Sequence, residues 1–248
     1  MTPSLQAKQE RIKALGAPIR PVAGNHAIAA TTAIRITRSL IRFGASNIIA
    51  PFDGGSWGGK VASGPPPRPL RAFDKPERQP DDPFAIRRIG AELDRWYTST
   101  VKTREVDDAI GELDYDEEHA MRLSNTDPYR LDHVDDVAHE TIQRGAGNCG
   151  YISSTAFSLL RHAGVAPLDY ILILPRNGPR MFRNHAVTVV GIPDVSGNQK
   201  EPDFEQWADV AFLADAWQED VSVPASVLPG RWSRESYFYL SYARVPPR

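Results

Sequence analysis

Residues 144–164 read RGAGNCGYISSTAFSLLRHAG. Glycines at 145, 147 and 150 surround Cys149, and beyond them Ile152, Ala156, Leu159, Leu160 and Ala163 recur at helical spacing. The spacing predicts a helix that begins near Cys149, is capped by Gly164 and cannot continue past Pro167. Cys149 is the only cysteine among 248 residues, so the thiol has no intramolecular disulfide partner and no CxxC zinc pair. At a helix start, unpaired N–H groups and the helix dipole lower a thiol's pKa, and a thiolate is a nucleophile near neutral pH. The glycines let the backbone turn tightly so that a substrate carbonyl can approach, with the Cys149 N–H as donor to a developing oxyanion. On this stretch alone two readings stay open: a reactive thiol, or a small apolar residue packed in a core.

The surroundings set the fold class. Upstream, FAIRRIGAELDRWYTSTV (84–101), VDDAIGELDYDEEHAMRL (106–123) and DHVDDVAHETIQRG (132–145) predict helices, the last with Asp132 as N-cap. Downstream the period shortens, and DYILIL (169–174), NHAVTVVGI (184–192) and DVAFLADAW (209–217) predict strands. Turn signals PRNGPR (175–180) and PDVSGNQKEP (193–202) separate them, and YFYLSYARV (237–245) predicts a last strand that closes the sheet. Helices first and an antiparallel sheet later is the α+β arrangement.

Residues 1–82 read differently from residues 83–248. Positions 51–85 hold eight prolines and five glycines, which predicts a poorly ordered, basic and Pro/Gly-rich N-terminal region followed by an α+β domain over 83–248. Within it AIRITRSLIRFG (33–44) sets Ile36, Leu40 and Phe43 on one helical face and Arg35, Arg38 and Arg42 on another. Such a segment is either a membrane-surface or targeting element, or a marginal helix that docks on the main domain or frays. GGSWGGK (54–60) has the spacing of a phosphate-binding loop, but Val61 stands where a Ser or Thr is required and ASGPPP replaces the helix. It reads as a linker, and no cofactor is expected.

The formal net charge of −2 conceals seven Lys or Arg against one acid in residues 1–45, and thirteen acids against two arginines in residues 105–140. A basic arm with an acidic middle argues against nucleic acid as a partner. No apolar run approaches the roughly 20 residues that span a bilayer, and the first 30 residues lack a secretory apolar core. The expectation is synthesis in the cytoplasm without a signal peptide. His133 and His139 are six apart and point to different helical faces, so no metal site is expected.

A cysteine nucleophile needs a base and the base needs an orienting group. His162 lies thirteen positions along the helix from Cys149, roughly 20 Å by helical rise, and cannot serve. His185 opens a predicted strand, and Asp215 ends an otherwise apolar one between Ala214 and Ala216. A carboxylate in that setting is costly unless paired, and the neighbouring histidine is its natural partner. Asp169, Asp209 and Asp220 are the reserves if Asp215 points elsewhere.

ETIQRGAGNCGYISSTAFSLLRHAGV, NHAVTVVG and FLADAW together resemble the catalytic core of the transglutaminase-like and papain-like superfamily, most closely its compact bacterial effector versions. The likeness spans residues about 138 to 220. It implies a papain-like/transglutaminase-like core with the cysteine's helix packed on the sheet, Cys149 as nucleophile, His185 as general base and acid, and Asp215 as orienter. Two departures stand out: Ala-Val-Thr follows His185 where an aromatic is usual in transglutaminases, and Asp215 is followed by Ala216 and Trp217 rather than proline. Gln143, six before Cys149, matches a glutamine that assists the oxyanion hole in papain-like enzymes, or is an exposed residue of the preceding helix. Asn148 caps the helix or contacts substrate. Trp217 walls the site or packs in the core.

The resemblance implies acyl transfer on a protein amide: glutamine deamidation or transglutamination by an effector translocated into a host cell and acting on a host protein. The alternatives are a papain-like protease and a non-catalytic binding protein on the same fold. The catalytic reading predicts that Cys149 reacts with iodoacetamide faster than a free thiol at neutral pH. His185→Ala should remove that excess; equal rates in the two proteins would contradict it.

Overall fold

The computed structural model describes residues 4–21, 25–45, 83–176, 185–193 and 210–247. The chain order is α1 (Leu5–Gly16), α2 (His26–Leu40), β1 (Gly44–Ala45), α3 (Pro83–Gly111), α4 (Glu117–Arg122), α5 (Pro128–Arg144), β2 (Ala146–Gly147) and α6 (Cys149–His162). After α6 come β3 (Leu168–Pro175), β4 (His185–Val190), β5 (Phe212–Leu213), β6 (Val223–Pro224), a 3-10 turn (Ala225–Val227), α7 (Leu228–Arg231) and β7 (Tyr237–Val245). The fold is α+β. Among the described residues five antiparallel strands lie in the order β6-β5-β4-β3-β7, and the last strand of the chain, β7, completes the sheet at one edge beside β3.

Helix ends follow local chemistry. Asp127 caps α5 by accepting from the Tyr129 amide, Pro128 supplies the first helical φ, and Gly145 ends the helix in the left-handed region at φ 69°. The helix therefore starts before Asp132, the expected cap, which instead accepts from Gln9 on α1 and pairs with Arg161. The two helices expected over 84–101 and 106–123 are divided elsewhere. Lys-Thr-Arg-Glu at 102–105 carries α3 through, and Asp116 caps a separate short α4. The strand expected over 209–217 narrows to Phe212–Leu213 within the described residues.

Two apolar layers sandwich the sheet. On one face α1, α2, α5 and α6 bury Ile12, Ile34, Ala138, Ile152 and Leu160 with Leu168, Ala186 and Val190 of the strands. On the other, Ile171, Ile173, Val187 and Val189 pack with Leu213, Leu228 and Tyr239. The alternation along β4 is the two-residue period of a strand covered on both faces.

The first part of the chain belongs to this core, which the division at residue 82 had set apart. Ile12 and Ile34 are fully buried, and each contributes on the order of 2 kcal/mol of apolar transfer. Helix α2 docks through Ala29, Ala30, Ala33, Ile34 and Thr37, a face of mostly small residues that lets backbones approach closely. The expected face of Ile36, Leu40 and Phe43 is only partly buried. The docking alternative for this segment therefore describes its packing: the buried face of α2 meets protein. The glycine-rich loop at 54–60, the 193–202 turn beyond Pro193 and Asp209 lie outside the described residues.

Past α2 the chain makes a parallel bridge, Gly44 with Ala146 and Ala45 with Gly147, while the Phe43 amide donates to the Gly145 carbonyl. That bridge fixes the loop immediately before Cys149. Gly191 after β4 is similarly constrained: at φ 95° an added Cβ would meet the Val210 carbonyl oxygen at 2.4 Å and His26 Nδ1 at 2.2 Å. Gly191→Ala should lower stability by about 2 kcal/mol or more, whereas Gly111→Ala, with nothing within 4 Å of the added methyl, should change it little. Urea midpoints of the two variants measure the difference.

Candidate active site

Helix α6 delivers Cys149 as its first residue because Asn148 caps it, the Asn148 Oδ1 accepting from the Tyr151 amide at 3.2 Å. Gly147 is required just before: a Cβ there would stand 2.8 Å from the Cβ of Tyr151. One turn along, Ser153 donates to the Ala186 carbonyl at 2.6 Å, and Thr188 donates back to the Ser153 carbonyl at 2.8 Å. These two bonds fix the axial position of α6 on β4. Ala186 follows His185, so the latch sets Cys149 and His185 together.

Asp215 arrives from β5. The Ala214 amide donates to the Thr188 carbonyl at 2.8 Å, and the chain then leaves the sheet in a turn. Within that turn Oδ1 of Asp215 accepts from the Trp217 amide at 3.1 Å and the Gln218 amide at 3.3 Å. Oδ2 faces His185 Nε2 at 2.8 Å, and both side chains are almost fully buried. Two amides and one imidazole thus satisfy a carboxylate that would be costly alone.

With Nε2 engaged, the ring nitrogen left for the sulfur is Nδ1. Among the described residues it has no hydrogen-bond partner of ordinary geometry, yet thiol and ring lie close enough to perturb each other. Burial pushes the Cys149 thiol up, but the adjacent, charged His185 ring, with the Ala186 backbone, outweighs it and brings the thiol below its ordinary value. For His185 burial acts downward and is outweighed by the charge and hydrogen bond of Asp215, with Cys149 adding to them, raising the ring to about 10. Opposite shifts favour a thiolate–imidazolium pair across neutral pH.

Aromatic rings surround the imidazole. Trp217 lies at 4.8 Å between centroids, tilted by 39°, and Trp232 stacks on it at 5.5 Å and 12°. Such π-faces favour a cationic ring. Trp217, nearly fully buried, therefore both packs in the core and borders the site. Trp232 escaped the sequence reading: it follows α7, between Arg231 and Ser233, with no periodic or motif signal. Tyr170, also missed there, donates to the Gly150 carbonyl at 3.1 Å behind the helix start.

The remaining candidates separate cleanly. Gln143 is exposed near the end of α5, as the alternative that placed it on the surface of the preceding helix expects. Asn148 serves as the cap. Asp169 is taken by Arg244 at 2.8 Å and by Ser241 at 2.8 Å, while Asp220 pairs with Arg38. His162 bonds to Asp135 at 2.8 Å, at the opposite end of α6 from Cys149. Among the described residues no group of three or more His, Cys, Asp or Glu is arranged to hold a metal ion. Among them, too, no helix is long and apolar enough to cross a membrane.

Searches against models of known families, curated proteins and solved structures each returned no match. The residues alone carry the reading of the site.

The shift of His185 ties stability to pH. Its folded value, about 10, lies above the ordinary 6.5, so its contribution is complete below 6.5 and is lost as pH rises through about 10. Asp215→Asn should therefore cost on the order of 3 kcal/mol at pH 6. That cost should shrink as pH passes 10, read from urea denaturation at a series of pH values.

Proposed function

We propose that this protein is a thiol-dependent acyltransferase or hydrolase acting on protein amides through Cys149, His185 and Asp215. The observation that carries the proposal is the 2.8 Å bond from His185 Nε2 to Asp215, which leaves Nδ1 for a thiol of lowered pKa at a helix start. The α+β fold, with the cysteine's helix latched to the sheet strand that bears the histidine, supports a papain-like/transglutaminase-like core.

The thiolate attacks the amide carbonyl carbon, and the oxygen takes up negative charge beside the amides of the first turn of α6. As the intermediate collapses, the C–N bond breaks. The proton on His185 passes to the departing nitrogen, leaving a thioester and a neutral imidazole. Water or an amine then attacks the thioester while His185 accepts its proton, and Cys149 leaves as thiolate. Asp215 keeps the ring oriented and stabilises its charged form throughout, as in other nucleophile–His–acid triads.

Cys149 is only 8% exposed, which favours a slender amide such as a glutamine side chain over a bulky one. Glutamine deamidation or transglutamination is accordingly the leading activity, with a host protein as substrate on the effector reading. Intact-mass analysis of candidate protein substrates tests it. A deamidation-sized gain, an amine adduct or cleavage fragments distinguish deamidase, transglutaminase and protease. Cys149→Ala should abolish turnover, and His185→Ala should reduce it about 10²- to 10⁴-fold. Product formation that persists in Cys149→Ala would reject the proposal.

A further inference from the structure

The turn that carries Asp215 is held from outside the sheet by α2. Arg38 donates through Nη1 to the Glu219 carbonyl at 3.0 Å and is ion-paired with Asp220. Its side chain is 14% exposed, against 67% for that of Asp220. Glu219 is bonded directly to the residue that matters: its amide donates to the Asp215 carbonyl at 2.9 Å. The Gln218 amide reaches the same carbonyl at 3.2 Å and Oδ1 at 3.3 Å. Two turns back on α2, Thr31 accepts from the Ser222 amide at 3.0 Å and donates to its hydroxyl at 2.9 Å. Ser222 in turn donates to the Ala27 carbonyl at 2.9 Å. One face of α2 therefore runs along residues 219–222.

We infer that Arg38 is a positioning residue for the catalytic group, holding the 215–220 turn so that Asp215 presents Oδ2 to His185. The inference rests on the catalytic reading of Cys149, His185 and Asp215. An arginine suits the task because its planar fork can serve a carbonyl and a carboxylate together, which a lysine ammonium does less well. Burial opposes the Arg38 charge, and the carboxylates of Asp215 and Glu219 support it. The other charged groups around the turn are Asp220 beside it, Arg231 of α7 paired with Glu219 at 2.5 Å, His185 of β4 and Cys149 of α6. Arg231 grips the turn from a more exposed position than Arg38. The arginine-bearing face of the N-terminal segment thereby gains a role inside the protein.

Orientation and bare charge predict opposite signs, and this makes the assignment testable. If Arg38 orients Asp215, its loss slackens the Asp215–His185 bond, and the imidazolium gives up its proton at lower pH. If Arg38 acts only as a nearby cation, its loss favours the imidazolium, and the proton is held to higher pH. The experiment is an NMR titration of the His185 ring in the full chain, with the iodoacetamide rate of Cys149 recorded on the same samples. Arg38→Met should raise the proton-dissociation constant of His185 about tenfold and move the acid limb of the Cys149 alkylation–pH profile to higher pH. Arg35→Met, the same charge change at an exposed position of α2, should leave both unchanged. Should Arg38→Met not fold, Arg38→Lys should shift His185 in the same direction by a smaller amount. An unchanged or upward-shifted titration in the folded variant overturns the assignment. Wild-type Cys149 that reacts no faster than a free thiol would instead reject the catalytic reading itself.

Discussion

The Asp215–His185 bond depends on where the sheet stops. Strand β5 pairs with β4 at only two positions, Leu213 with Val189 and Phe212 with Val190, before the chain turns away. A longer β5 would carry Asp215 onward as a ladder residue, and its carboxylate would lose the Trp217 and Gln218 amides that receive Oδ1. Burying a carboxylate and an imidazole costs several kcal/mol unless each polar atom is satisfied. Here the short strand, the tight turn and the strand-opening histidine share that requirement. The latch between Ser153, Ala186 and Thr188 carries the same constraint across to α6 and sets where the sulfur sits.

Much of this arrangement was legible in the residues. Strands β3, β4 and β7 and helix α6 announce themselves because their apolar periodicity agrees with their packing on two sides. Cys149, His185 and Asp215 stood out because each is chemically conspicuous against small or apolar neighbours. Other features left no local trace. The length of β5 is decided by which β4 carbonyls remain available, a tertiary matter. Trp232 reaches His185 through a turn whose path depends on α7. The exposure of Gln143 is set by how α5 turns before Gly145, which its spacing from Cys149 does not encode.

The N-terminal helices show how composition can mislead about order. Proline and glycine crowd positions 51–85 and colour any reading of the first 82 residues, yet α1 and α2 precede that stretch. Their contact with the rest is built on the apolar side from Ile12, Ile34 and three alanines, with Leu15, Ile36 and Leu40 packed against them, and on the polar side from specific ion pairs. Lys8, itself buried, pairs with Asp136 at 2.7 Å, and Gln9 donates to Asp132 and Asp135. The acidic run in the middle of the sequence is thus partly neutralised by the basic beginning. The opposed charges of the two segments are a docking code within one molecule.

The solitary thiol also has a redox consequence. A thiolate held against an imidazolium is the form that peroxide attacks, and the first product is a sulfenic acid. In many proteins a neighbouring cysteine condenses with that acid and returns it to the reducible disulfide pool. This chain contains no second cysteine. Recovery of an oxidised Cys149 therefore requires a small thiol from solution that can reach a sulfur buried between α6 and β4. Any reductant must reach the same buried sulfur as the oxidant did, so the compartment's low-molecular-weight thiols govern how long the group survives.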